Sequence, residues 1–539
     1  MKKISLEGNR AYVFLLGLII LVYGKSLWFG YTYLDDNVLI LDNLFFLKDL
    51  GNIFRAFQIE VFHVLHSSAA YYRPILTLSF MFDAQISGAN LFFYHLMNIL
   101  IHIGVVLFLY RLLLMLEVGQ KLALFLSSVM AIHPGISQTV AWVPGRNDSL
   151  LALFLLLGFI FLIKYFESEQ TVYLVAHFLT YFLMVFTKES ANLFPVLMIS
   201  FLVIKMGKKI FDERVIVYIL VSGGISLFWF YMRSSAIVNP VGYSLGKVVE
   251  TVVGNSPAVF LYLGKAIFPV NLSVLPTLQD SNLLFGVIGL VLILVLAIYL
   301  KSYKYFLFWF GIFWWGMFLL PSFVRPNEYY VADFIEHRGY VPMIGFLLAL
   351  STFDFGWEFE REKKVVVIIP ILIIFVLSAG TFFYIDNFSN SIKFWNNAVT
   401  HSPSHPLAYK NLGAMYYLVN DLNNAEKYYL LSLKVNPSET MVHNNLSLIY
   451  LDQGDLVRAQ AELDSELLIN PLYDKAHFNY GILYWQMGEK EKAARSWEKT
   501  LEINPDHFEA MRNLAVYFHE KGEIEKSKYF VNQLRLRGL

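Results

Sequence analysis

The sequence contains no cysteine. That absence excludes disulfides, thiolate zinc sites and cysteine nucleophiles, and it leaves the redox compartment open. Charge is scarce as well: Asp, Glu, Lys and Arg make up 16% of the 539 residues, against about 25% for an ordinary soluble chain. Lys plus Arg and Asp plus Glu each number 42, so the formal net charge is zero and nothing electrostatic points to nucleic acid. No glycine-rich loop of Walker or Rossmann type occurs, so soluble nucleotide chemistry has no support. Apolar surface is what the chain has in abundance, at 57% hydrophobic and 17% aromatic residues. Most of it must be solvated by lipid.

Apolar runs that approach the width of a bilayer recur near 11–29, 91–116, 121–133, 149–166, 171–187, 190–205, 214–233, 282–300, 304–320, 338–353 and 364–385. The first follows Lys2, Lys3 and Arg10 and lacks a small-x-small cleavage site, so a retained anchor is expected. Basic residues gather between alternate runs: Lys205, Lys208, Lys209 and Arg214; Lys301 and Lys304; Arg361, Lys363 and Lys364. By the positive-inside rule these loops and the N-terminus are cytoplasmic. Segment 256–269 carries Lys265 and two prolines, and counting it as a span would break the alternation. It reads as an interfacial or re-entrant helix. The expectation is therefore about eleven spans, with the C-terminus outside the cytoplasm. Residues 30–90 form a long first outside loop, in which 52–57 reads as an amphipathic helix on the membrane surface.

Toward the C-terminus a thirty-four-residue step appears. Asn436-Pro437, Asn470-Pro471 and Asn504-Pro505 keep it, as do Gly454, Gly488 and Gly522. This period is the tetratricopeptide repeat (TPR) signature. A half repeat precedes full repeats at about 406–439, 440–473 and 474–507, and a last helix pair closes the array. The fold class is all-α: a polytopic transmembrane helical domain over 1–388, then a TPR α-solenoid over 389–539. Asn411, Asn445, Asn479 and Asn513 recur at the same step in the first helix of each unit. An amide both donates and accepts, so a row of them suits the backbone of an extended polypeptide. A purely structural role for asparagine at that position is equally open.

Polar clusters sit at the outer ends of the apolar runs. Asp35 and Asp36 follow the first one. Paired carboxylates at a membrane mouth are costly unless hydrated or used. One can act as a base while the other fixes the loop; a cap or turn is the plainer alternative. Tyr71 to Pro74, His133-Pro134, Trp142 to Asp148, Lys188-Glu189 and Glu336 to Tyr340 share that side of the membrane. Any one of them alone reads as snorkelling or capping. Together they supply a carboxylate base and several fixed cations beside lipid, which is what transfer from a lipid-linked phosphate donor requires. His95, Asn98 and His102 share one helical face and read as helix packing more readily than as a cleft or a metal pair.

The order of these strings carries a resemblance. Asp-Asp after the first span is followed by Tyr-Arg-Pro, His-x-x-Asn-x-x-x-His, His-Pro with Gly-Arg-Asn-Asp, Lys-Glu, Glu-x-Arg-x-Tyr-x-Pro and terminal TPRs. This resembles the transmembrane-and-TPR O-mannosyltransferases, of the GT-C superfamily of polyprenyl-phosphate-sugar-dependent glycosyltransferases, in a bacterial-type form. The resemblance implies an inverting transfer of a sugar, mannose by family default, from a polyprenyl-phosphate carrier to Ser or Thr hydroxyls of an extracytoplasmic protein held by the repeats. It implies Asp35 or Asp36 as the catalytic carboxylate, and Arg73, Arg146, Lys188 and Arg338 as donor-phosphate contacts. Tyr72, His95, His133, Asp148, Glu189 and Glu336 would line the cleft, and the four asparagines would hold the acceptor. The implied partners are membrane lipid, the lipid-linked sugar and the acceptor protein, without nucleic acid. No cofactor is firmly implied; a divalent metal is compatible, and no residue is assigned to one. The implied location is a bacterial inner membrane, or the endoplasmic reticulum if eukaryotic, with the TPRs on the extracytoplasmic side. Two other readings stay open: a GT-C enzyme acting on a lipid or polysaccharide, and a non-enzymatic TPR scaffold for an envelope complex.

Overall fold

The computed structural model describes residues 9–65, 71–206, 213–237, 244–299, 305–324, 333–353 and 364–536. Among these residues the regular structure is helical, and the one β-type contact is an isolated bridge between Thr277 and Asp333. By packing, the chain divides into two units, Met1–Ser402 and Pro403–Leu539. The helix Ser391–His401, which the thirty-four-residue register assigns to the solenoid, thereby falls with the first unit.

Among the described residues of the first unit, six helices are long and apolar enough to cross a membrane: Asn9–Trp28, Phe92–Met115, Val143–Ser168, Glu213–Ala236, Tyr305–Phe323 and Ile368–Phe388. Shorter apolar helices are Gln120–Ile132, Thr171–Val185, Ala258–Ile267 and Leu284–Ile298. The distinction is one of reach. A hydrocarbon core of about 30 Å needs about 20 helical residues, and the 13 residues of Gln120–Ile132 extend only about 20 Å. Several of the basic residues that carry the topology argument (Lys2, Lys3, Lys208, Lys209, Lys301, Lys304, Arg361 and Lys363) lie outside the described residues. Large apolar side chains stand exposed on the helix Glu213–Ala236, among them Leu220, Leu227 and Phe230. Ile371, Leu372, Phe375 and Val376 do the same on the helix Lys364–Tyr384. Faces of this kind are stable against lipid and not against water. This unit belongs in a membrane.

Two local expectations are refined. Residues 52–57 do not form one amphipathic helix; they fall in the 3₁₀ turns Leu50–Ile53 and Arg55–Phe57. The Asp49 carboxylate accepts the Gly51 N–H at 2.9 Å and closes the chain into a tight turn before an α-helix can propagate. The same loop later contains a 14-residue helix, Pro74–Ser87. Segment 256–269 contributes the 10-residue helix Ala258–Ile267, too short to cross.

Helices approach one another through small residues. A Cβ on Gly311 would lie 2.5 Å from the carbonyl oxygen of Gly345, and one on Gly345 would lie 2.7 Å from that of Gly311. With no aqueous hydrophobic effect between membrane helices, such close backbone contact is a main source of packing energy.

The second unit is four antiparallel helix pairs, from Pro406–Leu418 with Leu422–Val435 to Phe508–Glu520 with Ile524–Leu536. The turn inside each pair needs one left-handed residue. Gly454, Gly488 and Gly522 supply it at φ +74°, +80° and +80°, and in the first pair Asn420 takes the place at +60°. Asparagine is the residue that tolerates this region best after glycine. Leu446, Leu463, Ala459 and Tyr429 form part of the buried core between pairs.

The glycine contact generates a prediction. Gly345→Ala should force the helices Tyr305–Phe323 and Tyr340–Leu350 apart and cost about 1–3 kcal/mol, as overpacking of a tight contact does. Thermal unfolding of the full-length protein in detergent reads this as a lower midpoint, whereas an unchanged midpoint would show that the two helices do not meet through Gly311 and Gly345.

Candidate active site

The acidic loop after the first span is built around Asp36. Its carboxylate accepts four hydrogen bonds: Thr32 N–H at 2.7 Å, Thr32 Oγ1 at 2.9 Å, Tyr33 N–H at 2.8 Å and Asn37 N–H at 3.0 Å. Asp36 is 1% exposed. Burial raises its carboxyl above the usual carboxylate range, and these four bonds oppose the rise. Tyr33 is held at φ +59°, a left-handed conformation that a bulky residue adopts only when its surroundings impose it. Asp35 beside it is partly exposed. The Asp36 carboxylate holds the loop together.

Three of the four sequence-predicted cations come together. Lys188 Nζ lies 2.7 Å from both carboxylate oxygens of Asp148. Arg73 forms a two-pronged pair with Glu189, Nε to Oε2 at 3.1 Å and Nη2 to Oε2 at 3.0 Å, and stacks over Tyr71. Arg338 pairs with Asp333 at 3.1 Å. Burial, joined by repulsion from Arg73 and Arg338, holds the Lys188 ammonium below the usual lysine range, and Asp148 opposes them. The three cations are thus near enough to feel one another. Two sequence-predicted cleft residues act as their counterions, Asp148 and Glu189, and Glu189 also receives the N–H of Tyr72 at 3.1 Å. The Tyr72 hydroxyl itself is spent on the carbonyl of Phe57 at 2.7 Å.

Arg146 stands apart. It is fully buried, and all three guanidinium nitrogens are engaged: Nε with Asn98 Oδ1 at 2.7 Å, Nη1 with Ser79, and Nη2 with Asp83 at 2.6 Å and the Tyr94 carbonyl at 2.7 Å. It faces protein on every side, because a fully desolvated guanidinium needs all its donors filled. Asp83 was not singled out from sequence, although it is the one charged residue in the helix Pro74–Ser87, and a lone charge in an apolar helix is itself a signal. Asn98 also donates to the carbonyls of Val140 and Trp142 at 3.3 Å. His102 joins Tyr340 at 2.6 Å and the Ala131 carbonyl at 3.0 Å. Asn98 and His102 therefore tie helices together. His95 is buried nearby, its ring edge-on to Phe29.

Glu336 belongs to a second nest. Its carboxylate receives Lys265 Nζ at 2.7 Å, Ser273 N–H at 3.2 Å and the Tyr384 hydroxyl at 2.8 Å. Burial raises its carboxyl, and Lys265 is the strongest opposing influence. Lys265 is thereby explained: the cation that spoils a membrane span is the counterion of a buried acid. Its neighbours Gly135, Tyr262, Trp315 and Met343 line a small cavity with the pair. His133 sits at the edge of this nest and takes the Gly135 N–H on its own Nδ1 at 3.2 Å.

Trp142 bridges the acidic loop and the cations. Its indole N–H donates to Thr32 Oγ1 at 3.0 Å, and its ring lies 5.4 Å from that of His337. His337 Nε2 is 3.7 Å from Asp148, the partner of Lys188. Among the described residues, no group of three or more His, Asp or Glu side chains is gathered closely enough to hold a metal ion.

In the solenoid the four asparagines are not equivalent. Asn479 is buried, and its amide donates to Asn444 Oδ1 of the preceding repeat at 2.8 Å. Asn411, Asn445 and Asn513 are partly exposed. At Asn479, then, an inter-repeat bond takes the amide that a ladder would offer to a ligand.

A family model described as tetratricopeptide repeat matches residues 474–507. Protein O-mannosyl-transferase TMTC1 of Mus musculus is 34% identical over 90 residues, 16% of this chain and 10% of the relative. Protein O-mannosyl-transferase TMTC2 of Homo sapiens is 37% identical over 95 residues, 17% of this chain and 11% of the relative. Protein O-mannosyl-transferase TMTC3 of Homo sapiens is 30% identical over 152 residues, 27% of this chain and 16% of the relative. The chain thus matches only a small part of each of these proteins. The crystal structure of MamA aligns at a TM-score of 0.25 and 22% identity, over 27% of this chain and 85% of that one, a likeness too slight to carry an argument. The chain carries a tetratricopeptide repeat at 474–507 and helices long and apolar enough to cross a membrane, and over part of its length it is similar to protein O-mannosyl-transferases.

Proposed function

We propose that the protein is an integral-membrane inverting glycosyltransferase of GT-C type, moving a sugar from a polyprenyl-phosphate donor to Ser or Thr hydroxyls of an extracytoplasmic protein. The observation that carries this reading is the gathering of Arg73, Lys188 and Arg338, linked to the acidic loop through Asp148, His337 and Trp142. The partial similarity to protein O-mannosyl-transferases supports it and makes mannose the first sugar to test.

In this reading Asp35, partly exposed on the loop that the Asp36 carboxylate holds, is the base. Its carboxylate takes the proton of the acceptor hydroxyl as that oxygen attacks the anomeric carbon. The bond from the anomeric carbon to the phosphate oxygen breaks, and the lipid phosphate leaves with the electron pair. Arg73, Lys188 and Arg338 exchange part of their present carboxylate contacts for the departing phosphate, which gains negative charge as the bond breaks. The solenoid, on the extracytoplasmic side, holds the acceptor, with Asn411, Asn445 and Asn513 as its amide contacts.

Release of lipid phosphate from a polyprenyl-phosphate sugar, measured with and without a protein acceptor, tests the reading. Release that requires a protein acceptor is expected. Release driven equally by a lipid or polysaccharide acceptor would reassign the substrate, and no release with any donor would return the protein to a scaffold role. Asp35→Asn should lower turnover by about 10²–10⁴-fold, the usual worth of a positioned base, with donor KM little changed. Arg73→Ala should instead raise donor KM by roughly tenfold to a hundredfold, the worth of one charge-assisted contact. The pH profile gives a separate check. Because Lys188 titrates below the usual lysine range, donor binding should weaken on an alkaline limb that begins below that range. Lys188→Arg, which keeps its charge at all accessible pH, should move that limb upward; a limb that stays in place would take Lys188 out of donor binding.

A further inference from the structure

Thr32 is the meeting point of two tryptophans and the acidic loop. Its side-chain hydroxyl accepts the indole N–H of Trp142 at 3.0 Å and donates to Asp36 Oδ2 at 2.9 Å. Its own N–H donates to the same carboxylate oxygen at 2.7 Å. Its carbonyl oxygen accepts the indole N–H of Trp395 at 2.9 Å, a contact between residues 363 positions apart. Both tryptophans are buried, Trp395 at 0% and Trp142 at 2% exposure, and Thr32 itself is 2% exposed. Two residues earlier, Gly30 N–H donates to the Ser389 carbonyl at 2.9 Å. The loop is therefore tied at both Gly30 and Thr32 to the stretch 389–395.

That stretch is held in its turn. On the helix Ser391–His401, Asn397 Oδ1 accepts the Val274 N–H at 3.0 Å. At its end, Ser402 Oγ meets Ser273 Oγ at 2.9 Å, and Ser273 N–H donates to Glu336. The strained φ of Tyr33 lies between Thr32 and Asp36, so the loop keeps its shape only while Thr32 stays where the indoles hold it.

We propose that Thr32, clamped by Trp142 and Trp395, is the positioning residue that aims Asp35, and that the helix Ser391–His401, which packs with the first unit, is part of the catalytic scaffold. The proposal rests on the reading of Asp35 as the base. The clamp acts through geometry: Thr32 fixes Asp36, Asp36 fixes Tyr33 and Asn37, and Asp35 lies between those two anchored residues in sequence. A hydroxyl at position 32 is required because one oxygen must both accept from an indole and donate to a carboxylate, which threonine and serine do and valine does not.

The test compares full-length Thr32→Val, Thr32→Ser and Trp395→Phe in lipid-phosphate release, with Asp35→Asn alongside. Thr32→Val keeps the side-chain shape and should lower kcat by about 10–100-fold, the cost of a reacting group misplaced by about an ångström, while donor KM stays within about twofold because the cations are untouched. Thr32→Ser should restore most of the rate. Trp395→Phe, which removes one indole donor and keeps an aromatic ring, should lower kcat by about tenfold, again without moving donor KM. A role confined to folding would instead lower the amount of folded protein and leave kcat per folded molecule unchanged in all three. Thr32→Val or Trp395→Phe at wild-type kcat overturns the proposal, as does a Thr32→Ser protein no better than Thr32→Val. An active Asp35→Asn protein sinks the underlying reading of the base; an inactive one beside a fully active Thr32→Val sinks the clamp alone.

Discussion

An ion taken out of water must find its counterion inside the protein, and in the membrane unit this constraint shapes nearly every polar contact. Asp83 and Arg146 meet at 2.6 Å with neither side chain exposed. Lys265 and Glu336 meet at 2.7 Å, and Lys188 and Asp148 at the same distance. Each pair joins segments far apart in sequence, so the pairs act as pins between elements that packing alone would leave free to slide. They also differ in how closed they are. The Arg146 pair is sealed, whereas Arg73 and Glu189 keep 12% and 27% of their side-chain surface open. Cations in the second kind of pair can trade a carboxylate for a phosphate; those in the first cannot without uncovering a buried charge.

The acidic loop solves a different problem. A short loop at a membrane surface is free to move, yet a base must be aimed. Here the aim comes from both ends of the unit. Trp142 reaches the loop from the segment before the Arg146–Ser168 helix, and Trp395 reaches it from beyond the last long apolar helix. Lys25 adds a third tie at the C-terminal end of the first helix, 3.8 Å from Asp386, which Lys393 also holds at 2.7 Å. Unlike the buried pairs, these last groups are partly in water and contribute little energy. The indole bonds are the stronger constraint, because they are dry.

Much of this was legible in the sequence. The TPR period, the apolar runs and the outer-end polar clusters each follow from residue spacing, and the asparagine at position 420 even shows how the glycine of the repeat can be replaced. Spacing left open which aspartate holds the loop; the hydrogen bonds within it are made by Asp36. What spacing could not show was partnership. Arg146, read as an outward cation, finds Asp83 sixty-three positions earlier, and Glu336, read as cleft lining, finds Lys265. Ion pairs between distant helices leave no periodic trace. Trp395 lies in a stretch that the repeat register assigns to the solenoid, so its bond to Thr32 leaves no trace in the spacing.

The central claim is that Arg73, Lys188 and Arg338 receive a lipid-linked phosphate within reach of the loop that carries Asp35. Cryo-electron microscopy of the full-length protein in nanodiscs loaded with a polyprenyl-phosphate sugar tests it most directly. The account predicts phosphate density within hydrogen-bond distance of at least two of these three cations, with the sugar turned toward Asp35. Phosphate density resting against other residues, with Arg73 still on Glu189 and Lys188 still on Asp148, would contradict it.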